Sequence, residues 1–127
     1  MNDWIEQVDF AWVGKDSNDA IGMFYVPSDF VTNNIKNIYS FSKYNELTSF
    51  IIDELPEISE CKNLYSSNFK QDILKGLYVF EYKNGLYEKK GEPVIELHVS
   101  KLKEFKSLII SLPTCHFFND KEVIQTL

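Results

Sequence analysis

The side chains with the widest chemical range in this 127-residue chain are Cys61, His98, Cys115 and His116. A zinc site needs such ligands at C-x₂₋₄-C spacing or at helical i, i+3 and i+4 spacing. Only Cys115 and His116 lie close together, and neighbours on a strand point to opposite faces, so no metal site is expected. A thiol nucleophile needs an imidazole within hydrogen-bond reach and a third group to orient it, and no spacing marks such a set. Both cysteines are therefore expected to be reduced and not bonded to each other. Asp16-Ser17-Asn18-Asp19 opens like a calcium loop, but Ile21 stands where the sharp-turn glycine belongs and Pro27 where the bidentate Glu belongs. Glu54, Glu57 and Glu60 recur every three residues around Pro56. Carboxylates so spaced do acid–base work only where an apolar pocket raises one pKa, and the pattern marks none, so they read as a solvated acidic stretch. No phosphate-binding loop, nucleophile elbow or zinc-protease motif occurs among only five glycines. The expectation is a chain that is not an enzyme and holds no cofactor.

Charge points to a surface function instead. Residues 1–60 carry eleven acids against three lysines, and residues 61–127 carry eight acids against ten lysines, for a net charge of −6. All thirteen basic residues are Lys. Arginine supplies the bidentate fork that reads guanine and clamps phosphate, so its absence beside an acidic half argues against direct nucleic-acid binding. A cationic protein fits better. The acids expected to meet it are Asp53, Glu54, Glu57 and Glu60, four with no Lys between them, together with Asp16 and Asp19 on a hairpin tip. Trp4, Tyr25, Tyr39, Tyr44, Tyr65, Tyr78 and Tyr87 are amphipathic rings of the kind enriched at interfaces. No window approaches the ~18 apolar residues of a membrane span, and the acidic start Met1-Asn2-Asp3-Trp4-Ile5-Glu6 lacks the features of a secretory signal. A cytoplasmic location without membrane contact is expected.

The elements that must position these residues are legible as periodicities. Val8, Phe10 and Trp12 alternate with their neighbours, a turn-forming cluster follows at 14–19, and Ala20 to Val26 resumes the strand pattern, which predicts a hairpin with a polar tip. A short helix after Pro27 would face Phe30, Val31, Ile35 and Ile38 inward. Ser42 caps a helix carrying Tyr44, Leu47, Phe50, Ile51 and Leu55, which Pro56 ends. Ser66, Ser67 or Asn68 starts another with Phe69, Ile73 and Leu74 inward, and Gly76 stops it. Asn84-Gly85 between Leu77–Tyr82 and Leu86–Lys89 predicts a two-residue hairpin turn. Val94 to Val99 reads as one more strand, and Ser100 as the cap of a helix bearing Leu102, Phe105, Ile109 and Leu112. With no repeat or linker, the expected fold is a single α+β domain over residues 1–127, an antiparallel sheet with helices packed on one face.

Two segments carry a resemblance. Asp9-Phe10-Ala11-Trp12-Val13-Gly14-Lys15-Asp16 through Gly22-Met23-Phe24, and Gly76-Leu77-Tyr78-Val79-Phe80-Glu81-Tyr82 through Pro93, resemble small bacterial immunity proteins that accompany polymorphic and contact-dependent-inhibition toxins. The resemblance covers about two-thirds of the chain and rests on pattern, size and charge. It implies a single acidic α+β domain that binds and neutralises a cognate toxin domain, often a nuclease, through an acidic surface dotted with aromatic rings. Such proteins share no catalytic residues, so no functional residue carries over. The alternative expectation is a small protein-binding adaptor or regulatory module of a mobile element.

Overall fold

A computed structural model describes residues 10–27, 30, 42–64, 67–83, 85–109, 114–115 and 123–125. The first predicted hairpin forms from β1 (Phe10–Asp16) and β2 (Ile21–Val26), paired antiparallel from Phe10↔Val26 to Lys15↔Ile21. The second forms from β4 (Tyr78–Lys83) and β5 (Leu86–Pro93), after β3 (Cys61–Leu64). Lys83 pairs with Leu86, and Gly85 takes φ +90°, the left-handed backbone that a two-residue turn requires. Asn84 lies outside the described residues, as do the short helix expected after Pro27 (Phe30 apart), Trp4, Tyr39, Tyr65 and His116.

Helix α1 runs Ser42–Asp53, and α2 runs Lys70–Leu74 after a 3₁₀ turn at Ser67–Phe69. Gly76 ends the second helix at φ +93°. Buried Ile73 and Phe69 pack with Val79, Tyr25 and Cys61, which sets α2 on one face of the sheet. Leu47 and Ile51 of α1 join Val13, Ile21 and Met23 in the main core. The Lys75 ammonium donates to the Ile51 carbonyl at 3.2 Å and to the Ile52 carbonyl, tying the ends of the two helices together. On the sheet, the Trp12 and Phe24 rings stack at 4.1 Å, Phe24 and Phe80 stack at 4.8 Å, and the Trp12 indole donates to the Tyr87 hydroxyl at 3.0 Å. Burial of such ring area is the main source of stability.

The fold is α+β, but the sheet is mixed and not wholly antiparallel. Its strand order is β3-β5-β4-β2-β1-β6, where β6 is Thr114–Cys115, and β7 (Val123–Gln125) also pairs with β5. β2 runs parallel to β4, and β1 parallel to β6, pairings that long crossovers create and local patterns do not announce.

Residues 94–99 correct a second expectation. They make no ladder; Leu97 is buried, its N–H donating to the Gly76 carbonyl and its carbonyl accepting from the Ile21 N–H, Val99 packs half-buried against the core, and His98 makes one bridge to Ala20. The helix expected from Ser100 is also broken, into 3₁₀ turns at Val99–Lys101 and Lys103–Phe105 and a short helix α3 (Lys106–Ile109). Buried Leu102 and half-buried Val99, Phe105 and Leu108 repeat every third residue, which is the period of a 3₁₀ helix.

Candidate protein-binding surface

Helix α1 presents Tyr44, Leu47 and Ile51 to the core and leaves Lys43, Glu46, Ser49, Ile52 and Asp53 on its outer side. Beyond Asp53 the chain cannot continue as helix through Pro56. It instead runs irregularly along the end of α2, held by backbone hydrogen bonds. The N–H groups of Ile58 and Ser59 both donate to the Leu74 carbonyl, at 2.8 and 2.9 Å. The Val94 N–H donates to the Glu60 carbonyl at 2.9 Å, and the Ile95 N–H to the Ser59 hydroxyl at 2.8 Å. This pinning fixes the path of the stretch while Asp53, Glu54, Glu57 and Glu60 all face solvent.

The same bonds gather an apolar patch among the acids. Ile58, Val94 and Ile95 are 37%, 57% and 54% exposed. Ser59 and Glu60 hold Val94 and Ile95 beside Ile58, and the Ile95 carbonyl and Ile58 Cδ1 both crowd Gly76. An aliphatic cluster with a charged rim has the composition of a binding patch, since the apolar centre is dried on contact and the rim stays wet. The exposure of the four acids agrees with their reading as a solvated stretch, while the sequence does not mark the aliphatics beside them. Val94 and Ile95 were assigned to a strand, and only the unpaired position after Pro93 could have signalled their exposure.

The hairpin tip behaves differently. Asp19 is exposed at φ +66°, as expected of a tip residue. Asp16 does not belong to the surface: it is 3% exposed, and its Oδ1 accepts from the N–H groups of Asn18 and Ala20, both at 2.9 Å. Its other oxygen, also buried, has no hydrogen-bond partner among the described residues. The carboxylate substitutes for missing backbone acceptors in the turn, a common use of Asp at such positions.

The rings are likewise turned inward. Tyr44, Tyr78 and Tyr87 are buried, and half-buried Tyr25 donates to Asp72. Burial first, and then the Asp72 charge, hold the Tyr25 phenol well above its ordinary range; burial also raises Asp72. The Tyr78 hydroxyl donates to Glu96, whose other oxygen lies 3.3 Å from His98 Nε2. The described tyrosines thus serve the core and its margin, and the apolar part of the acidic surface is aliphatic. Cys61 and Cys115 are not joined in a disulfide; Cys61 is half-buried and Cys115 buried. Among the described residues no three His, Cys, Asp or Glu side chains group as a metal would need, and no helix is long and apolar enough to cross a membrane. Comparison with known proteins finds no matching family model, no matching curated protein and no matching solved structure.

Proposed function

We propose that this chain is an inhibitor of the immunity type, which binds a basic toxin domain of its own system through the surface built by Asp53–Glu60 and residues 94–95. The observation that carries this reading is the pinned stretch in which exposed Asp53, Glu54, Glu57 and Glu60 run beside exposed Ile58, Val94 and Ile95. The acids accelerate encounter with a cationic face, and the aliphatics supply apolar area that is buried on contact. Carboxylates on such a surface occupy positions that substrate phosphates would take in a nuclease cleft, so binding there blocks the site without chemistry by the inhibitor. The resemblance of the two β-hairpin segments to immunity proteins points the same way.

The test begins with the gene immediately upstream, where the inhibitor reading expects a toxin domain, and continues with co-expression of that domain and stopped-flow mixing of the purified pair. Capture should be faster than the neutral range of roughly 10⁵–10⁶ M⁻¹s⁻¹ at low salt and should slow as the Debye length shortens, with dissociation changing less. A chain that forms no complex with that domain is not its inhibitor, and the adaptor reading then takes its place.

A further inference from the structure

A groove lies between α1 and the segment 104–108, with a volume of about 500 Å³. Its floor is apolar, formed by Phe50 and Phe105, whose rings meet at 5.4 Å and 52°, with Leu108 beside them. Glu46, Asp53, Glu54 and Glu104 stand on its walls, against Lys43 as the one cation among its described lining residues. Four acids to one lysine around an apolar floor select an occupant with the opposite pattern, apolar in the middle and cationic at both sides. Both walls are helical or 3₁₀, so they offer no strand edge to an extended peptide. A helix satisfies its own backbone and contributes only side chains, which is what these walls can receive.

We propose that this groove seats an amphipathic helix of the partner, an apolar anchor resting on Phe50 and Phe105 and lysine or arginine on its flanks facing Glu46, Glu54 and Glu104. The proposal rests on the inhibitor reading and names how the partner is held. Asp53 and Glu54 belong both to the groove wall and to the acidic stretch, so the groove continues the surface already described.

The probe is a synthetic 16-residue amphipathic peptide with leucine at helical i, i+3 and i+7 positions and lysine on both flanks, compared with its lysine-to-glutamate counterpart. Fluorescence anisotropy should show the lysine peptide binding and the glutamate peptide at least tenfold weaker. S49W places bulk in the groove from an exposed position without changing charge, and the double variant E46K/E104K reverses charge without blocking it. Each should weaken the lysine peptide at least tenfold. Equal affinity for both peptides, or binding by S49W equal to wild type, overturns the proposal. Undiminished capture of the upstream-encoded toxin domain by S49W overturns the groove and leaves the inhibitor reading standing. Groove-dependent peptide binding without capture of that domain supports the groove and removes the toxin as its occupant.

Discussion

Asp16 and Glu57 are both carboxylates in polar runs of the acidic half, yet one is 3% exposed and bonded to its own turn while the other faces solvent. The difference lies in what the neighbouring backbone lacks. At the hairpin tip the chain reverses within a few residues, and the N–H groups of Asn18 and Ala20 have no ladder partner, so a short side-chain acceptor is drawn in to satisfy them. Along residues 57–60 the backbone already finds the Leu74 carbonyl and the Val94 N–H, so the side chains there are released to the surface. A carboxylate is available to a partner where the main chain does not need it.

Removing each kind of carboxylate should therefore have opposite consequences, and D16A should show the largest effect. Two hydrogen bonds to a buried carboxylate disappear, and the buried Ala20 N–H loses its acceptor, at a cost of about 2–3 kcal/mol of stability in urea unfolding. D16N keeps an acceptor at the same place and should lose much less. If D16A unfolds at the wild-type midpoint, the tip does not depend on its side chain.

E57K/E60K should leave the unfolding midpoint almost unchanged, since exposed substitutions of this kind usually fall within about 0.5 kcal/mol. It should instead slow capture of the toxin domain by about tenfold at low salt, the lower end of what electrostatic steering gives. E88K, on the sheet beyond the acidic stretch, should not. Equal slowing by both would mean that net charge matters and the stretch does not.

A smaller effect reaches the buried thiol. Cys115 is pushed up to about 12 from the ordinary 9.0, chiefly by burial; Lys15 lowers it, and the Asp16 charge adds to the rise. A raised pKa means the neutral thiol is the form the fold favours. The stability it contributes is whole below pH 9.0 and is lost as pH climbs toward 12. At pH 8 a thiol reagent should accordingly label half-buried Cys61 first, and Cys115 only after urea is added. D16N should speed Cys115 labelling severalfold at pH 9, while E60Q, next to Cys61 in sequence, should leave Cys115 alone. Equal labelling of both thiols in the native protein would contradict the burial of Cys115.

Both hairpins, α1 and the stop at Gly76 were legible because each is a local pattern with its own punctuation: alternation closed by Asn-Gly, or a helical stripe closed by Pro56 or by glycine. Strand β3 was not, since Cys-Lys-Asn-Leu is short and only pairing with β5 makes it a strand. Residues 94–99 misled for the converse reason. Their alternation is strand-like, but they cross the end of the sheet, where buried Leu97 bonds to Gly76 and Ile21 and Val99 already begins a 3₁₀ turn, so no ladder forms. The acids from 53 to 60 were readable as surface from composition. The aliphatics that join them came from two distant segments, and Asp16 was misplaced because its burial depends on turn geometry.

Asp19 separates the two regions most finely, because it sits on the buried carboxylate's turn yet is itself exposed. Its φ of +66° is a left-handed conformation that Asn and Gly tolerate better than most residues, and its carbonyl accepts from the Val99 N–H at 3.1 Å, a bond that no side-chain change removes. D19N keeps both the backbone preference and that bond while deleting one charge from the tip. Stability should stay within about 0.5 kcal/mol of wild type in urea unfolding. The capture rate of the toxin domain should also stay the same, since the proposed binding surface is the acidic stretch and not the tip. A rate reduction for D19N as large as that for E57K/E60K would move the binding surface to the hairpin tip, with Asp16 as the residue that shapes it from beneath.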